Sequence, residues 1–193
     1  MDTNWAVLCI GGASGTGKSF LARQFACYHN IPFIEVDDIR IALRTVITRE
    51  DYPDLFTFVD NPNFLEEFSE ERFVTGLVNV GRALWPALNV LIDKHVQCGE
   101  QIILEGDGII PELLASSDPN KVKTIFLYDT LESIQERIEN RNRHGKERES
   151  AARRAALSFA YSETIRKQAE QYGLPTLLAT PNETLFERVL TLL

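Results

Sequence analysis

The sequence predicts an α/β protein in three layers, a five-stranded parallel sheet with helices on both faces, and three observations lead there. Short apolar runs recur along the chain with helical stretches between them. The first run, Ala6 to Ile10, is apolar without alternation, as a strand buried on both faces must be. A glycine-rich turn then joins that run directly to a helical pattern. One domain suffices for 193 residues, since single cores usually span about 100–200 residues.

After the turn, Phe20, Leu21, Gln24 and Phe25 recur at spacings of three and four, so a helix from Lys18 to about His29 packs back on the sheet. Pro32 marks a break. Phe33 to Val36 reads as the second strand, Gln101 to Leu104 as the third and Lys123 to Tyr128 as the fourth. The fifth, Leu174 to Ala179, has Pro175 at its start, where a missing donor is tolerated. Asp129 and Glu132 have capping-box spacing before Ile134 and Ile138, which starts a helix near residue 130. Thr180-Pro181-Asn182-Glu183 repeats the signal ahead of a last helix through Leu185, Phe186, Val189 and Leu190.

Between the second and third strands lie about 60 residues, more than one crossover helix needs. Residues 41–98 therefore read as a helical insertion in the single domain. Its turns are Asp51-Tyr52-Pro53-Asp54 and Asp60-Asn61-Pro62-Asn63. Two helices follow, Glu70 to about Leu84 and Pro86 to Val96, meeting at Trp85-Pro86. Phe64, Phe68, Phe73 and Trp85 read as core residues in preference to ligand stackers.

Composition narrows the function. A hydrophobic fraction of 44% and a charged fraction of 25% are ordinary for a globular chain and too apolar for a disordered one. The net charge of -8 argues against general nucleic-acid binding, which needs Lys and Arg to displace counterions. Any anion site must be local. Cys9, Cys27 and Cys98 form neither a disulfide framework nor a zinc site and read as small core residues. His29 and His95 look like helix-end residues and His144 like a lid or surface one, none with metal-ligand spacing. A start without a basic leader, and no run of 18 uncharged apolar residues, point to a cytoplasmic protein without a membrane partner, a monomer or homodimer.

The run Gly12-Ala13-Ser14-Gly15-Thr16-Gly17-Lys18-Ser19 matches G-x-x-x-x-G-K-S between an apolar strand and a helix, the context this motif requires. Its glycines let backbone N–H groups turn inward around phosphate oxygens, and the helix N-terminus adds partial positive charge. Lys18 can reach the outer phosphates and Ser19 can ligate magnesium. A nucleoside triphosphate, ATP with Mg2+, is the expected cofactor.

Three further stretches offer chemistry. Glu35-Val36-Asp37-Asp38-Ile39-Arg40 closes the second strand, at the sheet edge where ligands of parallel α/β folds bind. Strand alternation puts Glu35 and Asp37 on one side. Asp37 is the candidate to orient an acceptor hydroxyl and take its proton, and Glu35 or Asp38 to help hold magnesium. Arg40 suits a substrate carboxylate or phosphate. The competing reading makes Asp37 or Asp38 a helix cap and Arg40 half of an exposed ion pair. Leu104-Glu105-Gly106-Asp107-Gly108 ends the third strand with two acids among glycines, and Glu105 is the better candidate for magnesium and substrate; a tight turn with solvated acids is the alternative.

From Arg137 to Arg154 run seven Lys or Arg residues. Asn142-Arg143-His144-Gly145-Lys146 reads as a hinged lid that closes over the phosphates, at about 141–150, against the plainer reading of a solvated helical face.

Taken together these residues resemble the small P-loop kinases of the nucleoside-monophosphate-kinase fold. Glu35 to Arg40 is similar to the D-G-D-N-V-R stretch of adenylylsulfate kinases, which puts Asp37 at the second acid and Arg40 at the substrate-binding arginine. Gln135 to Arg141 is similar to the helix leading into the adenylate-kinase lid, and that likeness implies Arg137 over adenine and Arg141 on the phosphates, in a catalytic role. A closer resemblance is to 2-phosphoglycerate kinases and their relatives. It rests on Ile10 to Ser19, on the Asp-x-x-Arg of Asp37 to Arg40, and on Leu104-Glu105-Gly106 followed by Pro111. The extra N-terminal domain of the archaeal enzymes is not part of the likeness. The resemblance implies a sheet order of 2-3-1-4-5 and an acceptor pocket formed by the insertion.

The leading expectation is a kinase moving the γ-phosphoryl group of ATP to a hydroxyl of a small, anionic metabolite. A nucleoside or nucleotide kinase is the alternative within enzymes, since the insertion's aromatics would accommodate a base. A nucleotide-binding switch without an acceptor is the third. Against it stand the missing N-K-x-D guanine signature and the acidic pair.

Overall fold

The computed structural model describes residues 5–141 and 148–193. Its sheet has five parallel strands: β1 Val7–Gly12, β2 Phe33–Glu35, β3 Ile102–Gly106, β4 Val122–Tyr128 and β5 Thr176–Leu178, in the order β2-β3-β1-β4-β5. That is the order implied by the resemblance. Every residue of β1 is buried, because strands pair on both its edges and helices cover both its faces. On one face α1 (Lys18–His29) encloses Leu21, Ala22 and Phe25 together with Leu185 and Val189. Phe20, expected inside, points out at 53% exposure, since the buried stripe of α1 runs through residues 21, 22 and 25.

The stretch after β2 begins with α2, Val36–Leu43, so the helix starts one residue after the strand ends. A 3₁₀ turn, Pro53–Phe56, and the short α3, Phe64–Glu67, follow. Then comes one helix, α4, from Glu70 to Cys98, in place of the expected pair. Ser69 caps it, its hydroxyl accepting from Arg72 N–H at 3.1 Å, and Gly99 closes it in the left-handed conformation at φ 70°. Pro86 sits inside and removes one ladder bond. The helix continues across it because the buried stripe Leu77, Val80, Leu84, Leu88, Ile92 keeps helical spacing on both sides, and packing along that whole length outweighs one lost bond. Gly81 lies where this stripe crosses the loop after β3: a Cβ there would collide with the Ile110 side chain.

The other elements are α5 (Pro111–Leu114), α6 (Leu131–Arg141), α7 (Arg148–Gln171), a 3₁₀ turn at Asn182–Thr184 and α8 (Leu185–Leu192). The cap of α6 is Thr130, whose hydroxyl accepts from Ser133 N–H at 3.2 Å, and not Asp129. Asp129 is buried and turned to an internal ion pair instead. Pro181 precedes the final 3₁₀ turn and is not the first residue of a helix. The long α7 packs against β4, α4 and α6 and reaches the carboxyl edge of the sheet. Of the cysteines only Cys9 is buried; Cys27 and Cys98 lie on the outer sides of α1 and α4. Among the described residues no helix is long and apolar enough to cross a membrane. Of the expected lid at about 141–150, residues 142–147 lie outside the described residues.

Candidate active site

The turn from β1 into α1 forms a cradle because its glycines hold angles that other residues resist. Gly12 sits at φ 131°, where a Cβ would also collide with the Leu127 carbonyl oxygen, and Gly17 at φ 92° starts α1. Two side chains brace the loop from inside. Thr16, fully buried, gives its hydroxyl hydrogen to Ala13 O at 2.8 Å, and Ser158 of α7 gives its own to Ser14 O at 2.5 Å. Thr16 and Gly12 therefore shape the loop and do not line the cavity it encloses.

That cavity, about 140 Å³, is walled by Ser14, Gly15, Gly17, Lys18 and Ser19 of the cradle, by Glu35 and Asp37, by Glu105 and Asp107, and by Arg141. Nine residues expected from sequence to act on nucleotide, metal, phosphate or acceptor thus meet in one place. Asp37 gets there by a route other than strand alternation. It lies in the first turn of α2, which turns its carboxylate back over the end of β2.

Sequence reasoning ranks Asp107 below Glu105, yet Asp107 holds the central contact. Lys18 Nζ donates to Asp107 Oδ1 at 2.6 Å and to Ala13 O at 2.8 Å, with Lys18 almost wholly buried. Glu35 and Glu105 are lateral neighbours at the ends of β2 and β3, so two like charges face the same opening. Glu105 is 3% exposed. Burial above all raises its pKa, the Lys18 charge and a hydrogen bond from Ser19 lower it, and Glu35 and Asp107 raise it further. This pairing of a hydroxyl with carboxylate oxygens fits a hard divalent cation such as magnesium, which takes oxygen ligands and relieves like-charge crowding.

The strain on Glu105 is testable. A carboxyl whose folded pKa is raised favours the native state below its ordinary pKa, and that advantage is lost as pH rises through the raised value. At neutral pH the ionised Glu105 therefore costs stability. Glu105→Gln keeps the shape and removes the charge, so the nucleotide-free variant is expected to melt higher than the parent at pH 7, with the gap closing toward pH 4. It should also lose most of the extra stabilisation that magnesium and nucleotide give together. A variant that melts lower at pH 7 contradicts this reading.

Arg40 and Arg137 fall outside the cradle cavity. Arg137 is committed to protein groups: Nη1 donates to Gly15 O at 3.0 Å and Asp129 Oδ2 at 2.7 Å, Nη2 to Thr180 Oγ1 at 3.2 Å and Asn182 Oδ1 at 2.9 Å. It locks α6 and the turn before α8 to the cradle.

Arg40 lines a second cavity of about 310 Å³ beside the first. Its floor is Phe58, Phe64, Phe73, Leu77 and Val80, and its polar rim adds Arg154 and Ser158 of α7. The two cavities share Ser14, Asp37 and Asp107. Asp37 accepts from Arg40 Nη2 at 2.9 Å. Burial raises its pKa more than the Arg40 charge lowers it; Asp107 and Glu35 add to the rise, and Lys18 opposes it. Of the insertion's aromatics, Phe68 is core, as expected, while Phe64 and Phe73 face the cavity. Arg154 belongs to the arginine-rich run, but its place here is written in the helical spacing Arg154, Ser158, Tyr161, Ile165. Tyr161, fully buried, donates to Asp107 O and fixes that carboxylate's backbone.

No family model matches the sequence. The chain is similar to 2-phosphoglycerate kinase from Methanocaldococcus jannaschii, 29% identical over 127 residues, covering 65% of this chain and 41% of that protein. The enzyme of the same name from Methanopyrus kandleri is 25% identical over 186 residues, 89% of this chain and 55% of that one. Mevalonate-3-phosphate 5-kinase from Thermoplasma acidophilum is 24% identical over 125 residues, 64% of this chain and 60% of that one. The chain spans about half the length of the 2-phosphoglycerate kinases it matches. Among solved structures, a gluconokinase from Sinorhizobium meliloti 1021 superposes with a TM-score of 0.60 at 16% identity over 99% of this chain and 92% of that one. Shikimate kinase from Bacteroides thetaiotaomicron gives 0.57 at 18% identity over 97% of each. The chain therefore has the fold of the small P-loop kinases, and its sequence is similar to that of the 2-phosphoglycerate kinases.

Proposed function

We propose that this protein is an ATP-dependent phosphotransferase that moves the γ-phosphoryl group to a hydroxyl of a small anionic metabolite in the cytoplasm. The observation that carries the reading is the shared wall: a phosphate-sized cradle and a metabolite-sized cavity meet at Ser14, Asp37 and Asp107. A nucleotide switch needs no second cavity at its phosphates. The relatives' names support the acceptor class, since 2-phosphoglycerate and mevalonate 3-phosphate are both hydroxylated acids that carry a phosphate.

In this reading the acceptor hydroxyl oxygen forms the new bond to the γ-phosphorus. The bond from that phosphorus to the β–γ bridging oxygen breaks, its electron pair leaves with ADP, and the hydroxyl proton passes to Asp37. Two carboxylates stand at the junction, each beside a cation. Asp107 is held inside the cradle by Lys18 at 2.6 Å, while Asp37, raised in pKa on balance despite Arg40 at 2.9 Å, keeps half of its side chain open and is the better placed to take the proton. Lys18 and Arg141 offset charge on the transferring group. Ser19, Glu105 and Glu35 are the oxygens that would hold magnesium, whose contribution when bound is to neutralise phosphate charge.

A screen of hydroxy acids, sugars, sugar phosphates and nucleosides for acceptor-dependent ADP release tests the proposal. Release is expected with anionic hydroxylated compounds. Release with nucleosides alone would move the reading to a nucleoside kinase, and nucleotide binding without any acceptor-dependent release would leave a switch.

A further inference from the structure

Resting on that reading, the second cavity says more about the acceptor than its charge. Arg40 and Arg154 each carry an Nε atom that is buried and has no hydrogen-bond partner among the described residues. Arg40 is half offset by Asp37, while among the described residues Arg154 has no acidic partner. Two guanidinium groups lining one cavity repel each other, and an oxyanion between them relieves this with charge-assisted bonds. The opposite wall is different in kind. Phe58, Phe64, Phe73, Leu77 and Val80 offer no donor or acceptor, and Phe64 and Phe73 stack nearly parallel, 6.0 Å apart at 18°. A compact acid with polar groups on every carbon would strand some of them against this wall, at a desolvation cost, and so would the polar edges of a nucleobase.

We propose that the acceptor is an amphipathic anion. Its carboxylate or phosphate sits between Arg40 and Arg154, its hydroxyl reaches the Asp37 junction, and a hydrocarbon body covers the phenylalanine wall. This sets the chain's acceptor apart from 2-phosphoglycerate, which has no such body.

Calorimetric titration in the presence of magnesium and a non-hydrolysable ATP analogue tests it with two probe series. One comprises 3-hydroxy acids from 3-hydroxypropanoate to 3-hydroxyhexanoate; the other comprises diol monophosphates of rising chain length. Glycerol 3-phosphate and 2-phosphoglycerate are the polar controls. Affinity should rise about three- to fourfold for each methylene until the wall is covered. The series with the steeper gain identifies the anionic group. Phe64→Ala should flatten the gain, so that the longest probes lose more affinity than the polar controls. Should that variant fail to bind the ATP analogue, the near-isosteric Val80→Thr serves the same purpose.

Affinity that stays flat or falls along both series, tightest binding of 2-phosphoglycerate, or no binding of any probe overturns the amphipathic class. Acceptor-dependent ADP release with another compound would in that case leave the kinase reading intact.

Discussion

Lys18→Met is expected to lower turnover by a factor of about 10²–10³ while the protein still folds. The ammonium is buried at the floor of the cradle, 2.6 Å from Asp107, where Arg141, which lines the same cavity, does not replace its contact. Methionine keeps most of the apolar stem and hence the packing. The charge matters most where negative charge builds on the transferring phosphoryl oxygens, so the loss should fall on turnover more than on nucleotide affinity. A second effect works against the variant: Asp107, now unpaired, faces the incoming triphosphate with its own negative charge. Steady-state kinetics beside a circular-dichroism melt separate chemistry from folding. Turnover within a few-fold of the parent in a folded protein would remove Lys18 from the reaction.

Asp37→Asn should depress the chemical step by about 10²–10⁴ with nucleotide affinity nearly unchanged. The same carboxylate dictates a pH profile. Asp37 accepts a proton only when ionised, so turnover falls as pH falls through its pKa. That pKa lies above the ordinary value of 3.8, chiefly because the cavity walls desolvate it, so the acid limb should have its midpoint above 3.8. In the Asn variant the limb should vanish along with most of the activity. A limb that survives unchanged would assign the titration to another group, with Glu105 the next in line because burial raises it too.

The frame of the molecule is legible because its signals are local. An unbroken apolar run, a G-x-x-x-x-G-K-S turn and a helix in sequence leave little choice for β1 and α1, and each later strand repeats the run-and-break pattern. Where tertiary packing decides, local signals mislead. Trp85-Pro86 looks like a helix boundary, but the stripe from Leu77 to Ile92 packs on both sides of it and keeps the helix whole. Asp129 looks like a cap, but Arg137 and Thr180 draw its carboxylate inward, and Thr130 caps instead.

The site divides in the same way. Glu35 and Glu105, at the carboxyl ends of strands, and Asp37, two residues beyond β2, can be placed beside the cradle from topology. The pairing of Lys18 with Asp107 cannot, because it depends on how the loop after β3 turns and on Tyr161 holding it from α7, far along the chain. Arg154 is harder to single out: it is one of seven basic residues in the run, and only its helical spacing with Ser158, Tyr161 and Ile165 marks it as the one that α7 turns into the second cavity. Spacing alone also misses a small group at the end of α4, where His95, Cys98 and Glu100 bring ligand atoms within 4.8 Å of one another.

The account stands on the claim that the two cavities serve one reaction, and a single-turnover experiment addresses this directly. Enzyme in excess over ATP labelled in its γ-phosphate is mixed with the acceptor selected by the screen, and label is followed in the acceptor, in ADP and in inorganic phosphate. The account predicts label in the acceptor at the rate ADP forms, with both slowed together in Asp37→Asn. Label released only as inorganic phosphate, at a rate indifferent to acceptor and to Asp37, would contradict it.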